Sequence, residues 1–241
     1  MVKLKVPSLQ HLSRIWHPEP KVIARTLIAL TRNSPTFSYA PLYDAVRDMC
    51  LFKIPYQDVI RGFEQRIQRK QVRDNFVGLM PLISEYFEGA HPTFFQDITP
   101  RLYPVGRDLQ IPFNPPFLFG SENGICFPWL IFWKKNPLTG QRLSLFATVV
   151  DNVLLQDPDL DTAKFQLVDF SAPGPKFSRE LRVVDASLVP RVSAAELREM
   201  LGVFAEGYKL AMAEFVRDMH ENGRSSNRRI DYDQNQLGLF D

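Results

Sequence analysis

The sequence predicts an α+β fold: an N-terminal helical layer packed on a mainly antiparallel sheet, then a long C-terminal amphipathic helix and a flexible C-terminal tail. Apolar residues recur at helical spacing across residues 8–89, short apolar runs alternate with prolines across 91–190, and a stripe of apolar residues three and four apart runs through 193–220. We therefore expect residues 1–220 to form one globular domain and residues 221–241 to form the tail.

The N-terminal helical region divides at prolines and polar turns. Apolar faces predict helices over 8–16, 21–31 and 41–51, and a further helix that opens at Pro55. Because proline removes a backbone donor and collides with the preceding turn, we expect Pro81 to interrupt the helical segment that contains it.

The middle region holds short apolar runs that are typical of strands. The strand candidates are 117–119, 125–133, 143–155, 165–170 and 181–185. The Asn-Pro-Leu-Thr-Gly segment at 136–140 predicts a hairpin turn between the second and third candidates. Since no connection of helix length is predicted among these strands, we expect them to pair antiparallel.

The last regular segment is predicted to be a helix from Ala194 to about His220. Ser193 and Glu196 fit a capping box, in which the two side chains bond to free amides at the start of a helix. The apolar stripe of this helix comprises Leu197, Leu201, Phe204, Tyr208, Met212, Phe215 and Met219. The following residues, 221–234, are mostly Gly, Ser, Asn and charged, which indicates a tether.

Composition limits the classes of function. Hydrophobic residues make up 45% and charged residues 23%, as in ordinary globular proteins, and a net charge of +2 does not require a nucleic-acid partner. No apolar run is long enough to span a bilayer, so no membrane partner is expected, and two distant cysteines in apolar surroundings favour thiols in a reducing cytoplasm. The four histidines lack the spacing of a zinc site and no phosphate loop or dinucleotide fingerprint is present, so we predict neither a metal nor a cofactor.

One short motif lies beyond the tether, Gln236-Leu237-Gly238-Leu239-Phe240. It resembles the pentapeptide with which bacterial polymerases, repair proteins and replication regulators bind the β sliding clamp. The resemblance implies that Gln236 makes orienting hydrogen bonds at the rim of a pocket on the clamp. It also implies that Leu237 makes the first apolar contact and that Leu239 and Phe240 fill the pocket. Gly238 stands where the family more often has Ser or Asp, which leaves the match intact but raises the entropy cost of ordering.

The resemblance covers these five residues and no more of the chain. The alternative interpretation is a terminal strand or apolar plug that packs back on the domain. The polar character of residues 221–234 disfavours that alternative, because such a segment cannot bury enough apolar surface to fold alone.

Three aspartates are candidates for catalysis. Asp151, Asp169 and Asp185 each follow apolar residues of a strand candidate. If those strands are neighbours, the carboxylates could hold magnesium for phosphodiester hydrolysis. Aspartate at a strand end is also a common turn residue, so the sequence favours a protein that is not an enzyme.

A basic run is a candidate for nucleic-acid contact. It includes Arg66, Arg69, Lys70 and Arg73. A surface of this kind follows phosphates, but the acidic residues interspersed with it favour an ordinary solvated helix face.

Three functional hypotheses follow. The first is a protein that binds the clamp and regulates or inhibits replication or repair, as a replication-blocking toxin would; DNA close by and an antitoxin-like protein are the further partners that it implies. The second is a clamp-tethered nuclease that uses the aspartates. The third discards the motif and leaves an α+β protein of unrelated function. An inhibitor needs no chemistry, because occupancy of the clamp's shared pocket already excludes other clients.

Overall fold

The computed structural model describes residues 4–33, 37–106, 108–158 and 160–222, with side chains in the last range up to Arg217. Its helices are α1 (Leu9–Ile15), α2 (Pro20–Arg32), α3 (Ala40–Cys50), α4 (Tyr56–Arg66), α5 (Lys70–Ala90), α6 (Gln141–Leu154) and α7 (Ala194–Asn222). Its strands are β1 (Phe94–Gln96), β2 (Arg101–Val105), β3 (Leu109–Phe113), β4 (Leu118–Ser121), β5 (Gly124–Ile131), β6 (Lys164–Asp169) and β7 (Arg182–Asp185). The α+β fold with a long C-terminal helix is confirmed.

Five strands form one mixed sheet in the order β1-β4-β5-β6-β7, and β2 pairs with β3 in a separate hairpin. The β1–β4, β4–β5 and β6–β7 pairs are antiparallel. The β5–β6 pair is parallel, with Ile131 opposite Asp169 at its carboxyl end. The sheet is thus mainly antiparallel, as predicted, with one parallel pair at its centre.

That parallel pair exists because the strand prediction for residues 143–155 is wrong. These residues form most of α6, which carries the chain across from β5 to β6. The helix is buried on nearly every side, so its apolar residues show neither a clean period of two nor an obvious stripe. The expected hairpin turn at 136–140 instead leads into the helix, with Gly140 at its N-cap in a positive-φ conformation (φ 53°).

The N-terminal helices α1 to α4 lie where the sequence predicts them. The interruption expected at Pro81 is wrong, because α5 continues through it from Lys70 to Ala90. Pro81 itself is exposed, while Met80 and Ile83 beside it are buried. Tertiary packing on the buried face therefore outweighs the hydrogen bond that the proline removes.

Side chains of the sheet alternate between two apolar cores. Phe127 and Trp129 of β5 face the core formed with α1, α2, α6, α7 and the β2–β3 hairpin. Cys126 and Leu130 face the core formed with α3, α4 and α5. The N-terminal helices are consequently divided between the two faces of the sheet.

Helix α7 packs mainly along α2. Ser193 Oγ accepts a hydrogen bond from the Glu196 amide at 3.2 Å, which confirms the serine half of the predicted capping box, while the Glu196 carboxylate accepts from Gln141 Nε2 at 3.1 Å. A Cβ on Gly207 would lie 2.7 Å from the Cβ of Ile23 and 2.8 Å from the Pro20 carbonyl, so glycine permits this close approach. The predicted tail from residue 223 onward lies outside the described residues.

Within the described ranges, no helix combines the length and the apolar character needed to cross a membrane.

Candidate functional site

Polar and charged side chains gather at the carboxyl end of the β5–β6 pair. The two chains remain hydrogen-bonded past the strands, with the Phe170 amide donating to Ile131 O and the Ala172 amide to Lys134 O, both at 3.0 Å. Carboxyl ends of parallel strands are a common location for ligand sites in sheets of this kind. We call this cluster the carboxyl-end site and define it by Arg14, Tyr39, Trp133, Lys134 and Arg179.

Arg179 caps the ends of both strands. Its Nη1 donates to the carbonyl oxygens of Phe132 at 3.0 Å, Trp133 at 2.9 Å and Phe170 at 3.0 Å. Its Nη2 donates to Asn75 Oδ1 at 2.8 Å, which ties the strand ends to α5. Burial lowers the pKa of this guanidinium, yet arginine stays charged near neutral pH, so a positive charge is held between the layers.

Tyr39 lies beside Arg179, just before α3. Its hydroxyl is hydrogen-bonded to Asn75 and Arg179, and its ring packs 5.4 Å from that of Phe132. Burial raises the pKa of the hydroxyl, and the charge of Arg179 opposes that rise. The hydroxyl therefore keeps its proton near neutral pH.

Arg14 approaches the same edge from α1, on the other face of the sheet. Its guanidinium carbon lies 5.1 Å from the centre of the Trp133 ring, a cation–π contact. Burial lowers the pKa of Arg14, and within the described residues no carboxylate forms an ion pair with it. His11 stacks on the same indole at 5.9 Å, and burial, aided by the charge of Arg14, lowers its pKa to about 4.

Asp169, a predicted catalytic residue, has a structural role at this edge of the sheet. Its side chain is buried and accepts hydrogen bonds from Asn136 Nδ2 at 2.9 Å, the Ser171 amide at 2.9 Å and Arg182 Nη2 at 3.0 Å. These bonds fix the two segments that leave β5 and β6. The carboxylate is thus committed to neighbouring donors.

The other two candidate aspartates lie elsewhere. Asp151 is on α6 and accepts a hydrogen bond from Arg191 Nε at 2.6 Å. Asp185 on β7 pairs with Gln166 on β6. Gln166 lies three residues before Asp169, about 10 Å away along the same strand. Asp185 caps a 3₁₀ turn by accepting from the Ser187 amide at 2.8 Å, and its hydrogen bonding to Ser187 lowers its pKa.

The three aspartates therefore do not share a site. Across the described parts of the chain, no three His, Cys, Asp or Glu side chains come together as a metal site would require.

The basic run lies at the junction of α4 and α5. Arg66 ends α4, and Arg69 precedes the first turn of α5. Lys70 pairs with Asp74 at 2.6 Å, one helical turn away, and Arg73 donates to Ile67 O at 3.3 Å. Local acceptors occupy two of these cations, in keeping with a solvated helix face.

The four predicted partner-binding residues, Gln236, Leu237, Leu239 and Phe240, lie outside the described residues. Their part in binding stays a prediction from the sequence.

Sequence reasoning did not find the carboxyl-end site. Its residues come from four separate segments of the chain, and none of these segments has a recognised motif. The one local signal is the pair His11 and Arg14, three residues apart on one short helix. Such a pair is too common to indicate a site without knowledge of the sheet.

Comparison of the chain with protein-family models, with curated proteins and with solved structures gives no match in any of the three.

Proposed function

We propose that this protein binds the bacterial DNA polymerase III β sliding clamp through Gln236–Phe240 and thereby regulates or inhibits DNA replication or repair in the cytoplasm. The observation that carries the proposal is the Gln-Leu-Gly-Leu-Phe motif, which follows a polar segment in the sequence. A short apolar peptide of this kind binds by placing its side chains in a groove after losing its own conformational freedom.

The position of α7 is compatible with this role. The helix is packed on α2 and continues to Asn222, so thirteen residues, 223–235, separate its last residue from Gln236. A polar linker of this length has a root-mean-square span of roughly 20 Å if it is flexible. The motif could then reach a clamp pocket without any rearrangement of the core.

Regulation or inhibition explains the residues better than clamp-tethered cleavage does. The nuclease hypothesis requires Asp151, Asp169 and Asp185 to act together, whereas each of them bonds to a different local donor. Occupancy of a pocket that several clients share needs no catalytic group.

Binding of the full chain to a purified bacterial clamp tests the proposal. The double variant Leu239→Ala and Phe240→Ala should bind at least about a hundredfold more weakly, because each lost side chain contributes roughly 1.5–3 kcal/mol of apolar burial. Gly238→Ser should bind as well as the wild type or better, since serine orders at a lower entropy cost.

A matched control removes equally apolar side chains from the body of the protein. Phe177 and Leu188 are 68% and 79% exposed, so Phe177→Ala with Leu188→Ala should leave clamp affinity unchanged. Equal affinity of the wild type and the motif variant would refute the assignment.

A further inference from the structure

We propose that the carboxyl-end site binds a phosphate group, carried by a nucleotide or by a nucleic-acid strand, with Arg14 and Lys134 as its contacting cations. This inference is independent of clamp binding, because it uses none of the residues of the Gln236–Phe240 motif. It rests on charge balance, on the chemistry of the donors and on the topology of the sheet.

The net charge at this edge of the sheet is positive. Arg182 contacts both nearby carboxylates, Asp169 at 3.0 Å and Glu180 at 3.5 Å, and so accounts for much of their charge. Lys134 and Lys135 follow β5 on the exposed surface, and neither forms an ion pair within the described residues. Neither Arg14 nor Arg179 forms an ion pair there, although the charge of Asp169 acts on Arg179. The edge therefore carries more positive than negative charge.

Arg14 differs from Arg179 in its contacts, because its guanidinium faces the Trp133 ring whereas that of Arg179 donates to backbone carbonyls. The Arg14 guanidinium is partly buried against Trp133, so it has lost part of its hydration. The cation–π contact stabilises this partly desolvated cation without neutralising its charge. A bound anion would neutralise that charge.

The neighbouring groups at the edge are donors. The Tyr39 hydroxyl lies among these cations, where it is hydrogen-bonded to Asn75 and Arg179 and interacts electrostatically with Arg14. The N-terminus of α6 follows from β5 and has no side-chain cap, and its Arg142 Nε donates to Trp16 O at 3.0 Å, two residues beyond Arg14. This bond ties the start of α6 to the segment that follows α1.

A phosphate group fits the cations and donors of the carboxyl-end site better than a carboxylate does. Several cations around one edge match an anion with more than one negative charge, and the planar fork of Arg14 can bond two phosphate oxygens together. Phosphate ligands also occur beside the helix N-terminus of β-α-β units such as β5-α6-β6.

The experiment uses the full chain at low salt. Anisotropy of labelled single-stranded and duplex oligonucleotides measures nucleic-acid binding, while calorimetric titration with ATP and with inorganic pyrophosphate measures binding of free phosphate compounds. Arg14→Gln and Lys134→Gln should each weaken the binding that occurs by about tenfold, because each removes a charge-assisted hydrogen bond. Lys209→Gln, at an exposed position on α7, is the matched control and should change it less than about twofold.

The two probes distinguish the source of the phosphate. Oligonucleotide binding whose affinity rises as the salt concentration falls, and which ATP does not displace, indicates a nucleic-acid strand. Saturable binding of ATP or pyrophosphate indicates a free phosphate compound. Absence of binding to every probe would overturn the proposal, as would an equal loss in the Lys209→Gln variant. Lys134 is exposed, so Lys134→Gln decides the matter if Arg14→Gln lowers the melting temperature.

Discussion

The two ends of the β5–β6 pair differ in how their polar groups are satisfied. At the amino end, Tyr86 Oη donates to Gln166 Oε1 at 2.7 Å and Cys126 Sγ donates to the same oxygen at 3.2 Å, beside a cavity of about 440 Å³. At the carboxyl end, cations exceed carboxylates and Arg14 has no carboxylate partner within the described residues.

The difference shows that a cavity and a reactive site need not coincide. Burial raises the pKa of the Cys126 thiol to about 11, so the thiol at the amino end is not poised as a nucleophile. Neutral groups that satisfy one another give a stable cavity wall. The carboxyl end instead holds two partly buried arginines that form no ion pair within the described residues, and these are the charges on which we base the proposed phosphate site.

The largest expected effect comes from removing the charge that caps both strands. Arg179→Met leaves three strand-end carbonyls and the Asn75 side chain without this donor, so we expect the free energy of unfolding to fall by about 4 kcal/mol. Urea denaturation measures the loss. Arg61→Met is the control, since Arg61 is exposed and its ion pair among the described residues is with Asp58, and it should cost less than about 1 kcal/mol.

Equal losses in the two variants would mean that the carboxyl end depends no more on its charge than an exposed helix face does.

A smaller effect is expected from pH. His11 has a pKa of about 4 in the folded protein and an ordinary value of 6.5 when unfolded. Between these values the unfolded chain binds a proton that the folded chain does not, so stability is complete above pH 6.5 and declines as the pH falls to about 4. The decline attributable to His11 is at most about 3 kcal/mol.

The His11→Gln variant isolates this contribution. The difference in unfolding free energy between wild type and variant should change between pH 6.5 and 4, because other titrating groups cancel in the difference. A constant difference would show that the carboxyl end tolerates a second positive charge beside Arg14.

The smallest effect is expected at the amino end. Tyr86→Phe removes the hydroxyl that bonds to Gln166 and keeps the ring, so unfolding should become easier by about 1 kcal/mol. Chemical denaturation and the phosphate titrations check this together, since the variant should bind every phosphate probe as the wild type does. Weaker phosphate binding would place the site in the amino-end cavity instead.

Local signals explain which elements the sequence predicts. Helix α7 has a serine cap and a long apolar stripe, and both are visible without tertiary knowledge. Helix α6 has neither a side-chain cap nor an exposed polar face, and its Val149, Val150 and Val153 also suit a strand. The parallel pairing of β5 and β6 was missed for the same reason.

The strands β1 to β3 lie in the proline-rich stretch 91–116, whose prolines favour irregular chain or edge strands but do not indicate where a strand begins. Pro104 in β2 lies opposite Gln110 and Pro112 in β3 lies opposite Leu102, in a two-stranded hairpin separate from the main sheet. Proline is compatible with such edge positions, where a missing amide breaks no central ladder.

The two candidate sites differ in whether their residues are contiguous in the sequence. The Gln236–Phe240 motif is contiguous and can be recognised in the sequence, whereas the carboxyl-end site requires Arg14, Tyr39 and Arg179 to meet across two faces of the sheet. Only the fold could bring these residues together.

The most direct test of the central claim is fluorescence anisotropy of a labelled Asp231–Asp241 peptide titrated with a purified bacterial β clamp. A peptide with Leu239→Ala and Phe240→Ala serves as the comparison. We predict saturable binding of the first peptide and at least about a hundredfold weaker binding of the second, as the loss of two apolar anchors requires. Absence of saturable binding by either peptide would contradict the claim that this protein binds the clamp through its Gln236–Phe240 motif.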